Sequence, residues 1–205
     1  MGEALPVIQN YQTGYLAVAG SGQPKTGDMG QIAIGRTKAE GLASCKGCSM
    51  LSKKLGGTAD KTNCYHWGGS SQLGHISMAK ANAKDPDKVR ENIWSALDPN
   101  SGLKNKLSAH ANYIRLAVGG DPSALELEQV EDIRAAADNY GLGVLGYTHF
   151  PEGKGAHLKG KVMASADDLE SADRMVDAGW RVAVMLDALI PDITPGKAGR
   201  FKDLK

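Results

Sequence analysis

The sequence predicts an α/β fold, either a partial (β/α) barrel or an open, mostly parallel sheet. Strand-like and helix-like patterns alternate from residue 113 onward. Strands that are joined through helices pair in parallel, with right-handed crossover connections. The chain has 205 residues, whereas a complete eight-unit barrel takes about 250. Roughly half a barrel therefore fits, and we expect a single α/β domain over residues 1–205.

The first third of the chain divides into two regions. Residues 1–40 predict an N-terminal β-hairpin, because 15–19 and 31–34 are short β-prone runs separated by a Gly-rich link. Residues 41–72 contain every cysteine among many Gly, Ser and Lys, and predict a Cys-rich metal loop. Helices and βαβ units are expected over 73–190, followed by a loose tail over 191–205.

The second half of the chain gives the clearest periodicity. Residues 125–140 place Leu127, Val130 and Ile133 on one helical face, and Gly141 follows as a C-terminal glycine. A second helix is expected over 169–178, preceded by capping residues that end at Asp168. Strands are expected at 113–118, 144–148, 161–164 and 180–186, and two earlier helices at 73–84 and after Asp85-Pro86.

Composition and charge restrict the partners. Basic residues number 24 and acidic residues 23, for a net charge of +1, so bulk charge does not favour a phosphate-backbone binder, although local basic patches leave nucleic acid open. No stretch reaches the roughly 20 apolar residues that span a bilayer, and the N-terminus lacks signal-peptide features. We expect a soluble, cytoplasmic protein with a small-molecule or nucleobase substrate and no membrane partner. The oligomeric state stays open.

The cysteines are the strongest chemical signal. Cys45 and Cys48 form a CxxC pair, whose short spacing lets two thiolates chelate one ion, and Cys64 follows after 15 residues. An odd count argues against a disulfide framework, and clustered cysteines in a reducing compartment more often bind metal. His66 or His75 would supply a fourth ligand. The set suits a four-iron cluster with one open iron or a Cys3His zinc site; the alternative is three unrelated buried thiols.

Polar or glycine residues follow each predicted strand of the second half. In parallel sheets with crossover helices, ligands bind at the carboxyl ends of the strands. Asp121, His149 and Asp187 are the candidate catalytic groups, with His149 as acid, base or ligand. The alternative is that these residues are turns and caps. The full set at the four strand ends is Gly119, Gly120 and Asp121, then Thr148 and His149, then Ser165, then Asp187.

A Gly-rich segment at residues 20–27 does not match the phosphate-binding P-loop, because Pro24 stands where glycine should precede Lys25 and no helix follows. Its backbone N–H groups and the Lys25 ammonium are nonetheless candidates to contact a phosphate or carboxylate of a cofactor.

Several short motifs occur together in a fixed order. They are Lys25-Thr26-Gly27, the CxxC pair, Cys64-Tyr65, Gly120-Asp121, Tyr147-Thr148-His149 and Ala164-Ser165. In this order, over residues 20–187, they resemble an uncharacterised family of phage-encoded proteins, the gene-product-eighty-eight type and its relatives. The resemblance implies location in the host cytoplasm and leaves virion association open. It implies no activity.

The same stretch is similar to a distant radical S-adenosylmethionine domain, a TIM-barrel-like fold in which three cysteines hold a 4Fe-4S cluster. Gly119-Gly120-Asp121 resembles the segment that contacts the methionine amine in that family. Thr148 and Ser165 fall where its later strand ends contact the cofactor. The resemblance implies an iron–sulfur enzyme that uses S-adenosylmethionine to modify a nucleotide or nucleic acid base.

Two alternatives remain. Residues 116–122 are similar to the guanine-contacting strand end of tRNA-guanine transglycosylases, which implies a zinc-stabilised base-exchange enzyme with Asp121 and Asp187 as its carboxylates. A metal-stapled binding or virion-associated protein without catalytic activity is the other alternative, since a fold does not fix a function.

Overall fold

A computed structural model describes residues 16–23, 27–35, 38–62, 64–68 and 112–184. Several sequence predictions lie outside these residues: the helices expected from residue 73 onward, the tail, and the individual side chains of Lys25, His75 and Asp187.

Among the described residues, six strands form one sheet in the order β1-β2-β3-β4-β5-β6. β1 pairs with β2 antiparallel, and every later neighbour pairs in parallel. The sequence prediction of an α/β fold with an open, mostly parallel sheet is therefore confirmed. The strands are β1 (Leu16–Gln23), β2 (Gly27–Ile34), β3 (Tyr113–Leu116), β4 (Gly143–Thr148), β5 (Met163–Ala166) and β6 (Val182–Val184).

The described helices connect these strands. Asp168 caps the last of them by accepting the Ser171 N–H at 2.6 Å, as its position in the sequence predicts. Gly141 follows the helix that ends at Asn139 and has a φ of 68°, a conformation that glycine adopts without steric cost. None of the helices in the described ranges is long and apolar enough to cross a membrane. They are α1 (Lys38–Ser44), α2 (Tyr65–Gly68), α3 (Leu127–Asn139) and α4 (Leu169–Asp177), with 3-10 turns at Lys53–Leu55, Pro122–Ala124 and Gly153–Leu158.

The hydrophobic core lies on one face of the sheet. Side chains alternate between the two faces of a strand, so Ile114 and Leu116 of β3 face the same way. They pack against Val130 and Ile133 of α3, and all four are essentially inaccessible to solvent. Burying side chains of this size contributes about 1.5–3 kcal/mol each. The core therefore fixes α3 against the sheet and leaves the opposite sheet face to carry other side chains.

Several elements differ from the sequence prediction, and three of these differences have a physical reason in the structure. The strand expected at 113–118 ends at Leu116, because Ala117 has a φ of 59°, in the left-handed region that bends the chain. The strand expected at 161–164 begins at Met163, because the Val162 N–H turns back to the Leu158 carbonyl. The region 41–72, expected as a loop throughout, contains the end of α1 and all of α2. The Lys, Ala, Glu and Leu residues of α1 are good helix formers, which explains the helix. The many glycines nearby favour a loop, and the sequence prediction follows them.

Candidate functional site

A cavity of about 600 Å³ opens at the carboxyl ends of the parallel strands. Its volume is typical of small-molecule sites. Its wall combines the Cys-rich segment with side chains from the sheet face opposite the core. The wall residues are Met29, Cys45, Cys48, Met50, Leu51, Cys64, His66, Trp67, Arg115, Ala117, Val118, Gly119, Gly120, Leu145, Tyr147, His149, Ser165, Ala183 and Val184.

All four predicted metal ligands line this one cavity: Cys45, Cys48, Cys64 and His66. Within the described ranges, however, no three His, Cys, Asp or Glu side chains are already arranged as a metal cage. The structure therefore brings the donors to one wall without closing them around a point. An ion shared by the thiolates requires their side chains to turn toward one another.

Backbone hydrogen bonds shape the CxxC turn. The Cys48 N–H donates to the Cys45 carbonyl at 2.9 Å, and the Gly47 N–H donates to the Gly56 carbonyl at 2.8 Å. The Met50 N–H donates to Cys48 Sγ at 3.4 Å. The Cys64 N–H donates to the Met50 carbonyl at 3.0 Å, which ties the distant third cysteine to the same turn. An N–H directed at a sulfur stabilises negative charge on it, as metal-binding thiolates require.

Ser44 joins the CxxC turn to the end of β3. Its Oγ accepts the Asp121 N–H at 2.9 Å and donates to the Gly41 carbonyl at 2.7 Å. Its carbonyl accepts a hydrogen bond of 2.8 Å from Lys154 Nζ, which lies 3.6 Å from the centroid of the Phe150 ring. Because Cys45 is the next residue, these contacts fix the first thiol beside the strand ends.

Burial favours the protonated form of the Cys45 and Cys48 thiols when no cation is present, by raising the pKa of each. Burial raises the pKa of Cys45 to about 12, more than offsetting the effect of the Ser44 hydroxyl, and the negative charge of Asp121 adds to the rise. Burial also raises the pKa of Cys48 and outweighs the opposing effect of the Met50 N–H. A bound cation reverses this balance, because a coordinating thiol is deprotonated outright.

Asp121 is buried at 2 % exposure, and its oxygens bind donors from its own chain. Oδ1 accepts the Ser123 N–H and the Thr148 hydroxyl, and Oδ2 accepts the His149 N–H, each at 2.9 Å. Burial alone would raise the pKa of this carboxyl, but hydrogen bonds from His149 and Ser123 outweigh it, so the pKa lies below its ordinary value of 3.8. Asp121 is thus an ionised residue that joins the ends of β3 and β4.

His149 extends from this carboxylate into the cavity. Its Nδ1 lies 3.8 Å from Asp121 Oδ2, within ion-pair range but beyond a hydrogen bond. Its Nε2 is buried and has no hydrogen-bond partner among the described residues. Thr148, on the opposite face of β4, is fully buried and accepts the Phe150 N–H at 3.1 Å. The two neighbours therefore differ: His149 lines the cavity and Thr148 supports the strand end behind it.

The predicted glycines allow close packing at the end of β3. An ideal Cβ on Gly119 would lie 2.1 Å from His66 Nε2, so the imidazole occupies the space that any side chain there would need. Gly120 has a φ of 84°, and its Cβ would approach Ile34 and Ser44 within 3 Å. Both glycines line the cavity, as does Ser165 of β5. Gly119 is buried and its carbonyl accepts the Ile34 N–H at 2.7 Å, whereas Gly120 is partly exposed.

Three contributors were not anticipated from the sequence. Ser44 and Lys154 carry the contacts that join the CxxC turn to the strand ends. Arg115, in the middle of β3, reaches the cavity wall and lies 5.8 Å from the centroid of the Tyr147 ring on β4. The alternation of Ile114, Arg115 and Leu116 was the available signal for Arg115, since a charged residue between two core residues must face away from the core.

The fold and the site together define an α/β protein with a thiol-lined cavity at the carboxyl edge of a parallel sheet. Comparison with protein-family models, with curated proteins and with solved structures finds no match to this chain.

Proposed function

We propose that the chain is a metal-dependent enzyme whose metal or iron–sulfur centre is held by Cys45, Cys48 and Cys64 beside a substrate cavity. The single observation that carries this proposal is the shared wall. Three thiols from a segment separated from β3 by at least 48 residues line the same cavity as the strand ends of the sheet. Three unrelated buried thiols would have no reason to meet at the edge where α/β proteins bind their ligands.

The proposal includes three finer assignments of the fold. The sheet is half of a (β/α) barrel with the cavity as its lumen, β1 and β2 form the N-terminal hairpin, and residues 41–72 are the metal loop. The substrate is a small molecule or a nucleobase, consistent with the cavity volume, and the protein acts in the cytoplasm.

The donor chemistry fits a thiophilic ion or cluster. Thiolates select zinc and iron–sulfur clusters over hard cations. The Met50 N–H directed at Cys48 Sγ lowers the cost of a thiolate there, and the half-buried position of Cys64 gives the cavity side a third donor. When bound, an iron–sulfur centre supplies an electron, and a zinc ion supplies a Lewis acid or a structural staple.

The iron–sulfur form of the proposal follows the resemblance to radical S-adenosylmethionine proteins. The position of Gly119 and Gly120 on the cavity wall supports it, because a segment without side chains lets a cofactor approach the backbone closely. A direct contact between the Asp121 carboxylate and the cofactor is not supported, since its oxygens already accept three hydrogen bonds from the protein. In this form, the cofactor amine contacts backbone carbonyls of the glycine segment, and Asp121 holds that segment in place.

The zinc form is the second candidate, and a specific observation favours it. Two imidazoles, His66 and His149, share the wall with the three thiols, so a Cys3His set is available without any group from outside the described residues. Zinc in structural sites is almost always held by four such ligands in a tetrahedron.

Elemental analysis separates the two forms. The full chain is purified without oxygen, and iron, acid-labile sulfide and zinc are measured per chain. The iron–sulfur form predicts about four iron and four sulfide with a brown colour, and the zinc form predicts one zinc and no colour. Protein that retains none of these metals after purification and reconstitution contradicts the proposal in both forms.

Single variants assign the ligands. Cys45→Ser, Cys48→Ser and Cys64→Ser should each remove most of the bound metal. Ser49→Ala is the matched control, because its hydroxyl belongs to the same turn and has no hydrogen-bond partner among the described residues; it should bind metal like the wild type. Full metal content in any of the cysteine variants would remove that residue from the centre. Loaded protein that turns over no small molecule or nucleobase would indicate a non-enzymatic binding protein.

A further inference from the structure

We propose that His149, through its Nε2 atom, is the fourth protein donor of the metal centre, and that the centre is therefore a closed Cys3His set. This inference rests on the proposed function and deepens it. The fourth-ligand role passes from His66, the histidine nearest to the cysteines in the sequence, to His149, which lies 85 positions after Cys64.

The first observation is the state of the Nε2 atom. It is buried, and no described residue hydrogen-bonds to it, although His149 lines the same cavity as the three thiols. Buried polar side-chain atoms usually have a partner, and one without a protein partner calls for an explanation such as a bound ion. A ligand on Nε2 would satisfy this atom, while the thiols would turn toward the same ion.

The second observation is what holds the other side of the ring. The Asp121 carboxylate accepts the His149 backbone N–H at 2.9 Å and lies 3.8 Å from Nδ1. Metal-binding histidines almost always present their other nitrogen to a carboxylate, a carbonyl or a water, which fixes the ring and makes the ligand nitrogen more basic. Asp121 is fixed by hydrogen bonds from Ser123 and Thr148, so its carboxylate suits this supporting position.

The third observation separates His149 from His66. The Nε2 of His66 lies against the backbone of Gly119, within 2.1 Å of the place where a Cβ would stand. Its ring meets the edge of Trp67 at 90° with 4.6 Å between centroids, and only 2 % of the residue is exposed. His66 is therefore held between the Gly119 backbone and Trp67, and any movement of its ring would leave a gap beside Gly119.

A closed set has a consequence for the substrate. With three thiolates and one imidazole bound, a zinc ion would have its full tetrahedral complement, whereas a four-iron cluster would have no open iron left for a cofactor, so the closed set favours the zinc form. The substrate then binds beside the centre, against the wall that carries Arg115 and Tyr147, and not on the metal.

Cobalt substitution tests the assignment on the full chain, with Co²⁺ alone as the probe. Tetrahedral cobalt bound to thiolates gives ligand-field bands and thiolate charge-transfer bands that change when a nitrogen ligand is replaced by water. The variants are His149→Ala and His66→Ala. His157→Ala is the control, because its Nε2 contacts the Leu125 carbonyl at 2.8 Å. We expect His149→Ala alone to change the ligand-field bands, to lower cobalt affinity at least tenfold, and to regain the original bands when free imidazole is added.

The outcomes separate the two proposals. Unchanged bands in His149→Ala would overturn the assignment, and a change in His66→Ala instead would restore the sequence-based ligand. In either case the thiolate charge-transfer bands persist, so the proposed function stands. If the wild type gives no such bands, the cysteines do not share an ion and the proposed function fails. Circular dichroism of each metal-free variant checks that a lost signal is not a lost fold.

Discussion

Asp121 illustrates how much of a strand end can depend on one residue. Its sequence position, directly after a strand and two glycines, predicted a group available to a ligand. The structure shows the carboxylate bonded to Ser123, Thr148 and His149. The sequence could place Asp121 and His149 at neighbouring strand ends, because parallel strands end at one edge. It could not show that the His149 N–H comes within bonding distance of the carboxylate, since this contact joins residues 28 positions apart and has no local signal.

Replacing Asp121 with Asn should destabilise the fold. The asparagine NH2 group would face an N–H or O–H group that now donates to the carboxylate, so that hydrogen bond would be lost. Hydrogen bonds to charged groups contribute about 1.5–3 kcal/mol. We expect the free energy of unfolding to fall by roughly 2–3 kcal/mol, measured by urea denaturation. Asp138→Asn, an exposed residue of α3, is the control and should change it by less than about 0.5 kcal/mol. Equal effects of the two substitutions would mean that the Asp121 bonds are not stabilising.

The stability difference between the wild type and Asp121→Asn should depend on pH. Because the pKa of Asp121 is lower in the folded chain than its ordinary 3.8, its ionisation stabilises the fold fully well above pH 3.8, and this contribution is lost as the pH falls through the folded-state pKa. The difference in unfolding free energy between wild type and Asp121→Asn should therefore shrink as the pH is lowered below 3.8. A difference that stays constant down to pH 2 would contradict the assignment of Asp121 as an ionised residue.

At the scale of elements, the site depends on contacts between segments that are far apart in sequence. Ser44 and Asp121 are 77 positions apart, and Ser44 and Lys154 are 110 apart. The CxxC spacing and the βαβ pattern are local signals, so the sequence predicted the cysteine turn and the strand ends separately. Nothing in the local sequence indicates that the serine before Cys45 contacts the end of β3. The contact between the cysteine turn and the strand ends therefore could not be derived from local patterns.

Lys154 should hold the 3-10 turn Gly153–Leu158 against the cysteine turn. Lys154→Met keeps the side-chain length and loses the hydrogen bond to the Ser44 carbonyl. We expect faster amide hydrogen exchange over residues 42–51 and a loss of about 1 kcal/mol of stability. Lys53→Met is the control, because its ion pair with Asp60 is exposed on both sides and contributes little. Unchanged exchange near Cys45 in Lys154→Met would show that another contact holds the turn.

Gly119→Ala should disturb His66 by steric overlap. Overpacking of this kind costs about 1–3 kcal/mol, and Gly119 has no left-handed backbone strain to add to it. A double-mutant cycle with His66→Ala isolates the effect, because residues in contact are not additive. We expect the alanine at 119 to cost much less once the imidazole is gone. Additive losses would mean that the overlap is relieved elsewhere.

At the scale of the whole molecule, the sheet separates structure from chemistry by face. One face packs on α3 through Ile114, Leu116 and their neighbours, and the other carries Arg115, Leu145 and Tyr147 into the cavity. Alternating helix and strand patterns were sufficient to predict this α/β arrangement. The closing of the cavity by the Cys-rich segment was not predictable, because the sequence does not specify how a glycine-rich segment folds over a sheet edge.

Metal removal should be detectable across the molecule. Trp67 lines the cavity and packs in the cluster that contains Cys45 and Cys48, so drawing the thiols around an ion changes its surroundings. We expect chelation to change tryptophan fluorescence and to lower the thermal midpoint, since ligand binding to the folded state stabilises it. Cys64→Ser should show neither response to chelator. A chelator effect that persists in Cys64→Ser would place the metal elsewhere.

The account depends most on three thiolates binding one ion, and X-ray absorption at the zinc edge measures this directly. The full chain is loaded with one zinc per molecule, and the scattering atoms around zinc are counted. The account predicts three sulfur atoms at about 2.3 Å and one nitrogen at about 2.0–2.1 Å. A zinc shell made only of nitrogen and oxygen, or containing a single sulfur, would contradict it.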